Sequence, residues 1–261
     1  MLDIFKKHKK VTLVLGGGSA RGIAHIGVLK VLVREKIPIS RIVGTSMGAL
    51  IGAAYAAGIT PEEMEKKAMG VSINKLIDPT VPRMGLLAGN RMQAMIKTLL
   101  DNKKFDDCRI PFAAITTDIE TGQAVVHQSG DLTTVVRASC SWPGIFTPVK
   151  IDGRLLCDGG IKDSVPTDIA RNLGEGYVIA VDVGFCVKQG KMMNIFQVIL
   201  QSFQIMGEEL NKYQSDKGDT TIKVDMGNID QLGFERAKES IQRGEWAAES
   251  KIAGIKKDLH L

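Results

Sequence analysis

The pentapeptide GTSMG, Gly44 to Gly48, sets one serine between two glycines, with the apolar pair Ile42 and Val43 before it and an alanine-rich run to Ala57 after it. At a strand-to-helix turn, Gly-x-Ser-x-Gly exposes a serine Oγ on a strained backbone, and the glycines let neighbouring chain approach. Taken alone, the pattern equally describes a small-residue turn in which Ser46 caps the helix that follows. A second stretch, LGGGSARGIAHIGVL, carries Gly16, Gly17, Gly18, Ser19, Arg21 and Gly22 from an apolar run into a helical one. Backbone N–H groups and the positive end of a helix then face one point, which suits an anion.

A dinucleotide pyrophosphate and the oxyanion of an acyl-transfer intermediate both use such a device. The dinucleotide fingerprint needs an acidic residue at the end of the second strand, about 20 residues on, to hold a ribose. Glu35 has the spacing but ends the first helix, and the second strand closes on Gly44, Thr45 and Ser46. No Lys-Ser or Lys-Thr closes the glycine run, so it is not a P-loop. The two loops, on consecutive parallel strands, share the carboxyl edge of a sheet, where α/β proteins bind ligands.

A nucleophilic serine needs a base. The chain has four histidines: His8 in a basic terminal run, His260 next to the last residue, His127 at a strand end, and His25 one turn into the first helix, whose N-terminus disfavours an imidazolium. The carboxylate candidate is Asp158 in GRLLCDGG, where Gly159 and Gly160 let the chain turn sharply; an Asp-Gly pair is also a common turn.

These residues must be held by a framework, and its pattern is βαβ. Strands are predicted at Val11–Leu15, Arg41–Thr45, Phe112–Asp118, Gln123–Gln128, Leu155–Asp158, Tyr177–Val183 and Thr221–Asp225. Helices are predicted at Gly22–Glu35, Met47–Ala57, Pro61–Leu76, Asn90–Leu100 and Pro166–Leu173, with a loop over Asp78–Gly89 and longer helices after Gly184. A basic tail over 1–10 precedes a single domain over 11–261, its motif-bearing core at 11–183 and a helical part at 184–261. In the last helix Phe234, Ala237, Ile241, Ala248, Ile252 and Ile255 share a face, which docks on the body of the domain or meets a partner or membrane.

Composition narrows the class. The 261 residues are 44% hydrophobic and carry a net charge of +5 spread along the chain, which argues against nucleic-acid binding. Cys108, Cys140, Cys157 and Cys186 form no metal or disulfide pattern and read as reduced core residues of a cytosolic protein. No apolar run reaches the roughly 20 residues of a membrane-spanning helix, and MLDIFKKHKK does not have the order of a secretory signal. Lys6, Lys7, Lys9 and Lys10 touch anionic lipid at the inner face of a membrane or are merely solvated.

The loops GGGSARG and GTSMG and the triplet DGG, with IPFAAITTDIETGQ, VRASCSWPGIF and VPTDIARNLG, together resemble the bacterial branch of the patatin-like phospholipase family over about Val11 to Val183. The resemblance implies a three-layer α/β/α fold with a mostly parallel central sheet and a lipid acyl hydrolase that needs no calcium or other cofactor. It implies Ser46 as nucleophile, Asp158 as base and the backbone of Gly17, Gly18 and Ser19 as oxyanion hole. Gly16, Arg21, Gly22, Gly44, Gly48, Gly159 and Gly160 are the supporting motif positions. Ser19 stands where many members have glycine, so a positive φ there would be strained. Trp142, Pro143, Gly144 and Phe146 shape an acyl pocket or simply pack the core. The alternatives are a lipid-binding adaptor without turnover and a nucleotide-binding enzyme; oligomeric state is not legible.

Overall fold

The computed structural model describes residues 10–81, 83–174, 176–184, 193, 195–214 and 217–261. β1 (Val11–Leu15) is buried along its whole length, as a parallel strand covered on both faces must be. A 3-10 turn over Ser19–Ile23 leads into α1 (Ala24–Arg34). β2 (Ile39–Thr45) runs directly into α2 (Met47–Ala56), in which only Met47 and Tyr55 are not fully buried. α3 (Pro61–Ala68) opens with Pro61 at its first position and a capping box, Thr60 and Glu63 each satisfying the other's backbone N–H. β3 (Gly85–Leu87) and α4 (Asn90–Leu99) follow, then β4 (Phe112–Asp118) and β5 (Ala124–His127). α5 (Leu132–Ser139) is capped by Asp131, which accepts from the Thr134 N–H. β6 (Gly144–Phe146), β7 (Val149–Ile151), β8 (Arg154–Asp158), α6 (Thr167–Asn172), β9 (Tyr177–Asp182), α7 (Ile195–Gln214), β10 (Thr220–Lys223) and α8 (Ala237–Leu259) complete the described elements.

The main sheet runs β10-β9-β1-β2-β4-β8-β7, with β5 also on β4. β10, β9, β1, β2 and β4 are parallel; β5 and β8 run antiparallel to β4, and β7 pairs antiparallel with β8. Side chains alternate across β1: Val11, Leu13 and Leu15 enter the large core under α1, α2 and α8, whereas Val14 joins Val43, Ile115, Val178 and Ala170 of α6 on the other face. The fold is three-layered α/β/α. Thr45 is level with Ile115, and Thr116 with Asp158, so Ser46 and Asp158 stand level with one strand between them.

α8 crosses α1 at two glycines. A Cβ on Gly27 would lie 1.9 Å from the Ile241 carbonyl oxygen, and one on Gly244 would lie 2.0 Å from that of Ala24. The face predicted from the last helix makes this contact: Ala237, Ile241, Ala248 and Ile255 are buried, as is Phe234 just before it, and Ile252 is half-buried.

Several boundaries differ from expectation. The helix predicted over Pro61–Leu76 stops at Ala68, because Gly70 and the run Val71, Ser72, Ile73, Asn74 favour turns, and a 3-10 turn takes over at Ile73–Lys75. The Asp78–Gly89 loop contains β3, which pairs with β6; three-residue strands are too short to display a period. The first helix starts with a 3-10 turn at Ser19 rather than at Gly22. α5, β6 and β7 have no counterpart among the predicted elements. Cys157 is buried, but Cys108 and Cys140 are only half-buried, and the three form no disulfide. His8, Lys6, Lys7, Lys9, most of the basic tail and Cys186 lie outside the described residues. Among the described residues no helix is long and apolar enough to cross a membrane.

Candidate active site

Ser46 joins β2 to α2 with φ 54° and ψ −123°, a left-handed backbone that a non-glycine residue adopts only under constraint. The constraint is close packing. A Cβ on Gly44 would lie 2.5 Å from the Gly48 carbonyl oxygen, and one on Gly48 would lie 2.1 Å from that of Leu15. Both glycines of the pentapeptide are thus required by backbone contact. Ser46 is 5% exposed, and its N–H donates to Ser139 Oγ at 2.9 Å, which itself donates to the Ile115 carbonyl at 2.6 Å.

The Ser46 side chain turns the other way. Its Oγ donates to Asp158 Oδ2 at 2.7 Å, and Asp158 Oδ1 accepts the Gly160 N–H at 2.8 Å. Asp158 is 1% exposed, and burial pushes its carboxyl up to about 7, although Ser46, the Gly160 N–H and Trp142 hold it down in part. A Cβ on Gly159 would meet the Ile115 carbonyl oxygen at 2.4 Å, so that glycine lets the chain turn tightly against β4. A hydroxyl hydrogen-bonded to a carboxylate that is half-protonated near neutrality is able to pass its proton to that carboxylate.

The glycine loop lies beside this pair. The Gly16 N–H donates to the Val181 carbonyl at 3.0 Å and the Gly17 N–H to the Ser164 carbonyl at 2.9 Å. Gly17 therefore anchors the loop, a correction to the expectation that it offers a third free donor; its Cα faces the Ser46 Cβ. Among the described residues the N–H groups of Gly18 and Ser19 have no acceptor. Ser19 has φ 50°, the strain anticipated at that position. Gly22 makes room for the Met47 side chain. Arg21 is not a surface cation: it is fully buried, its Nε donating to the Ile229 carbonyl and its Nη1 to that of Gly184, which ties the loop to the C-terminal part.

Neither His25 nor His127 is hydrogen-bonded to Ser46 or Asp158. His25 Nε2 donates to the Gly16 carbonyl at 2.8 Å, and burial lowers its pKa to about 4, so it is a neutral clamp on the glycine loop. His127 is half-buried, with Nε2 2.8 Å from Thr116 Oγ1. Among the described residues no three His, Cys, Asp or Glu side chains are grouped to hold a metal.

Above the pair is a crevice of about 80 Å³, lined by Trp142 and Ile161 and by Phe203, Met206 and Leu210 of α7. Beside it an apolar cavity of about 240 Å³ runs from Ser46 along Met47, Leu87, Trp142, Phe146 and Leu200. Trp142 and Phe146 line that cavity as well as packing against the core. Ser139, the neighbouring Cys140, whose thiol burial pushes up, and the α7 residues were not foreseen. VRASCSWPGIF carried a family signal for the first two, but α7 carried none. Replacing Ser139 by alanine should strand the buried Ser46 N–H and cost about 1–3 kcal/mol. Thermal denaturation checks this, and an unchanged melting temperature would show the N–H finding another partner.

The family profile described as patatin-like phospholipase matches residues 13–171. Patatin-like phospholipase domain-containing protein ZK370.4 of Caenorhabditis elegans is 41% identical over 184 residues, covering 67% of this chain and 14% of that protein. Patatin-like phospholipase domain-containing protein 6 of Homo sapiens is 39% identical over 182 residues, covering 67% and 13%. An uncharacterized NTE family protein, Mb1092c, of Mycobacterium bovis is 36% identical over 176 residues, covering 67% and 49%. The chain thus spans less than half of each relative's length. The crystal structure of VipD from Legionella pneumophila shares the fold, with a TM-score of 0.61 at 14% identity over 95% of this chain and 67% of that one.

Proposed function

Because the chain belongs to the patatin-like phospholipase family, we propose that it is a serine hydrolase that cleaves acyl esters of phospholipid, lysophospholipid or related lipids with a Ser46–Asp158 dyad. The observation that carries this reading is the 2.7 Å hydrogen bond from Ser46 Oγ to a buried carboxylate whose pKa stands at about 7. As Ser46 Oγ attacks the ester carbonyl, its proton passes to Asp158. The oxyanion accepts from the N–H groups of Gly18 and Ser19, in a crevice that α7 helps to line. The alcohol leaves with the proton from Asp158, giving an acyl-serine; Asp158 then takes a proton from the attacking water, and fatty acid is released as Ser46 recovers its proton. Incubating the protein with phospholipid and lysophospholipid tests the reading. Fatty acid should appear; lipid bound without any release would favour the adaptor.

Peripheral contact with a membrane is part of the proposal, and α7 supports it. Ile195, Val198, Ile205 and Met206 of that helix are 68%, 49%, 54% and 53% exposed, on an element that lines the crevice. Replacing Val198 and Ile205 together by glutamate should lower hydrolysis of lipid in vesicles by about 10-fold or more, since each apolar side chain buried is worth roughly 1.5–3 kcal/mol. A soluble short-chain ester should be cleaved at the unaltered rate. Equal losses on both substrates would assign α7 a purely structural part.

A further inference from the structure

The apolar cavity beside Ser46 shares its inner wall with another. Met47, Leu50, Met95 and Phe234 line both it and a second cavity of about 400 Å³ between α1, α3 and α4. The second lining is apolar apart from Thr98 and one charged side chain, Lys67, which is exposed. We propose that this second cavity receives the distal methylenes of a long acyl chain whose ester lies at Ser46, and so sets the chain length the protein prefers. This rests on the hydrolase reading.

Volume is the first argument. A dry apolar cavity of about 150 Å³ holds the six carbons of benzene, so in proportion 240 Å³ takes about ten carbons and 400 Å³ about sixteen. A chain longer than about ten carbons outgrows the first cavity, and the shared wall is where it must go. The wall suits passage: two of its four side chains are methionines, unbranched and adaptable, and Met47 directly follows Ser46. The lining is the second argument. It has no buried polar group to recognise a ligand's head, whereas a methylene tail asks for none. Each buried methylene strengthens binding about fourfold, enough to sort substrates by length.

Ala94 and Thr98 are exposed residues one turn apart on α4 that line only the second cavity. Ala94→Trp and Thr98→Trp, made separately, should fill it without touching the reaction site. Nitrophenyl esters of four to sixteen carbons are the substrates. For the unaltered protein kcat/KM should rise through sixteen carbons; each variant should lose 10-fold or more at sixteen while changing less than twofold at four and six. Unaltered profiles in both variants, or equal losses at every length, would overturn the proposal. A second measurement needs no turnover: binding of a fluorescent sixteen-carbon fatty acid to Ser46→Ala protein, with and without Ala94→Trp. If no ester is cleaved, the hydrolase reading fails by itself, and this binding decides for the cavity. Affinity that falls with Ala94→Trp supports it, and affinity that does not fall refutes it.

Discussion

A fluorophosphonate should label this protein at Ser46 alone, and Ser46→Ala should abolish both labelling and ester hydrolysis, with a loss of about 10⁴-fold or more. Ser46 is singled out by its backbone and its partner together. Its left-handed φ thrusts Oγ toward the crevice, and that oxygen donates to a buried carboxylate. Ser139 and Ser141, also buried and close by, spend their hydroxyls on the carbonyls of Ile115 and Arg137, which cannot take a proton. The large factor follows from covalent chemistry, because without Oγ no acyl-enzyme forms and only binding and the oxyanion donors remain. Mass spectrometry of the labelled protein locates the adduct. Labelling elsewhere, or hydrolysis that survives in Ser46→Ala, would remove Ser46 from the mechanism.

Asp158→Asn should be as inactive as Ser46→Ala and yet more stable. An amide keeps the shape and accepts the Ser46 hydrogen bond but takes up no proton. In the unaltered protein kcat/KM should climb with pH through about 7 and level off above it, as the carboxylate ionises. Stability runs the opposite way. The carboxyl titrates at about 7 folded against 3.8 for an unhindered aspartate, so between these values the folded state holds the proton more tightly. The unaltered protein therefore loses stability as pH rises through that window, by on the order of 4 kcal/mol in all. Asparagine carries no such penalty, and the variant's advantage should be largest at pH 8 and small near pH 4. Melting temperatures at both pH values and the pH–rate profile check the two halves. If Asp158→Asn retains activity while His25→Ala is dead, the base is the histidine. If it melts lower at pH 8, the carboxylate is not penalised by its burial.

Much of the candidate site is legible in one dimension because it depends on backbone approach. Gly44 and Gly48 are needed where chains touch with no room for a Cβ, and such needs leave glycines at fixed spacing. Asp158 is legible as a carboxylate at a strand end, and the structure brings it within hydrogen-bond distance of Ser46. Its direction of arrival is not: β8 is antiparallel to β4, and nothing in RLLCD tells a parallel strand from an antiparallel one. Ser139 is a single hydroxyl whose value lies in a partner 93 residues away. α7 reads as an amphipathic helix, but which face covers a crevice depends on contacts far along the chain. β3 and β6 are three residues each and stabilise one another, so neither has a local pattern.

The order of the sheet also sets the order in which a ribosome can complete it. β1 is made first but lies inside, between β2 and β9, and β9 comes from residues 177–182. Ser46 precedes its partner by 112 residues, roughly 6–22 s of synthesis at ordinary rates. During that interval the elbow can form on β1 and β2 while Asp158, the carboxylate that accepts the Ser46 hydrogen bond, has yet to be made. The same interval leaves one edge of β1 bare, a row of unpaired N–H and C=O groups next to a nearly all-apolar strand. Newly made chains are thus most prone to pair with one another until Tyr177 emerges.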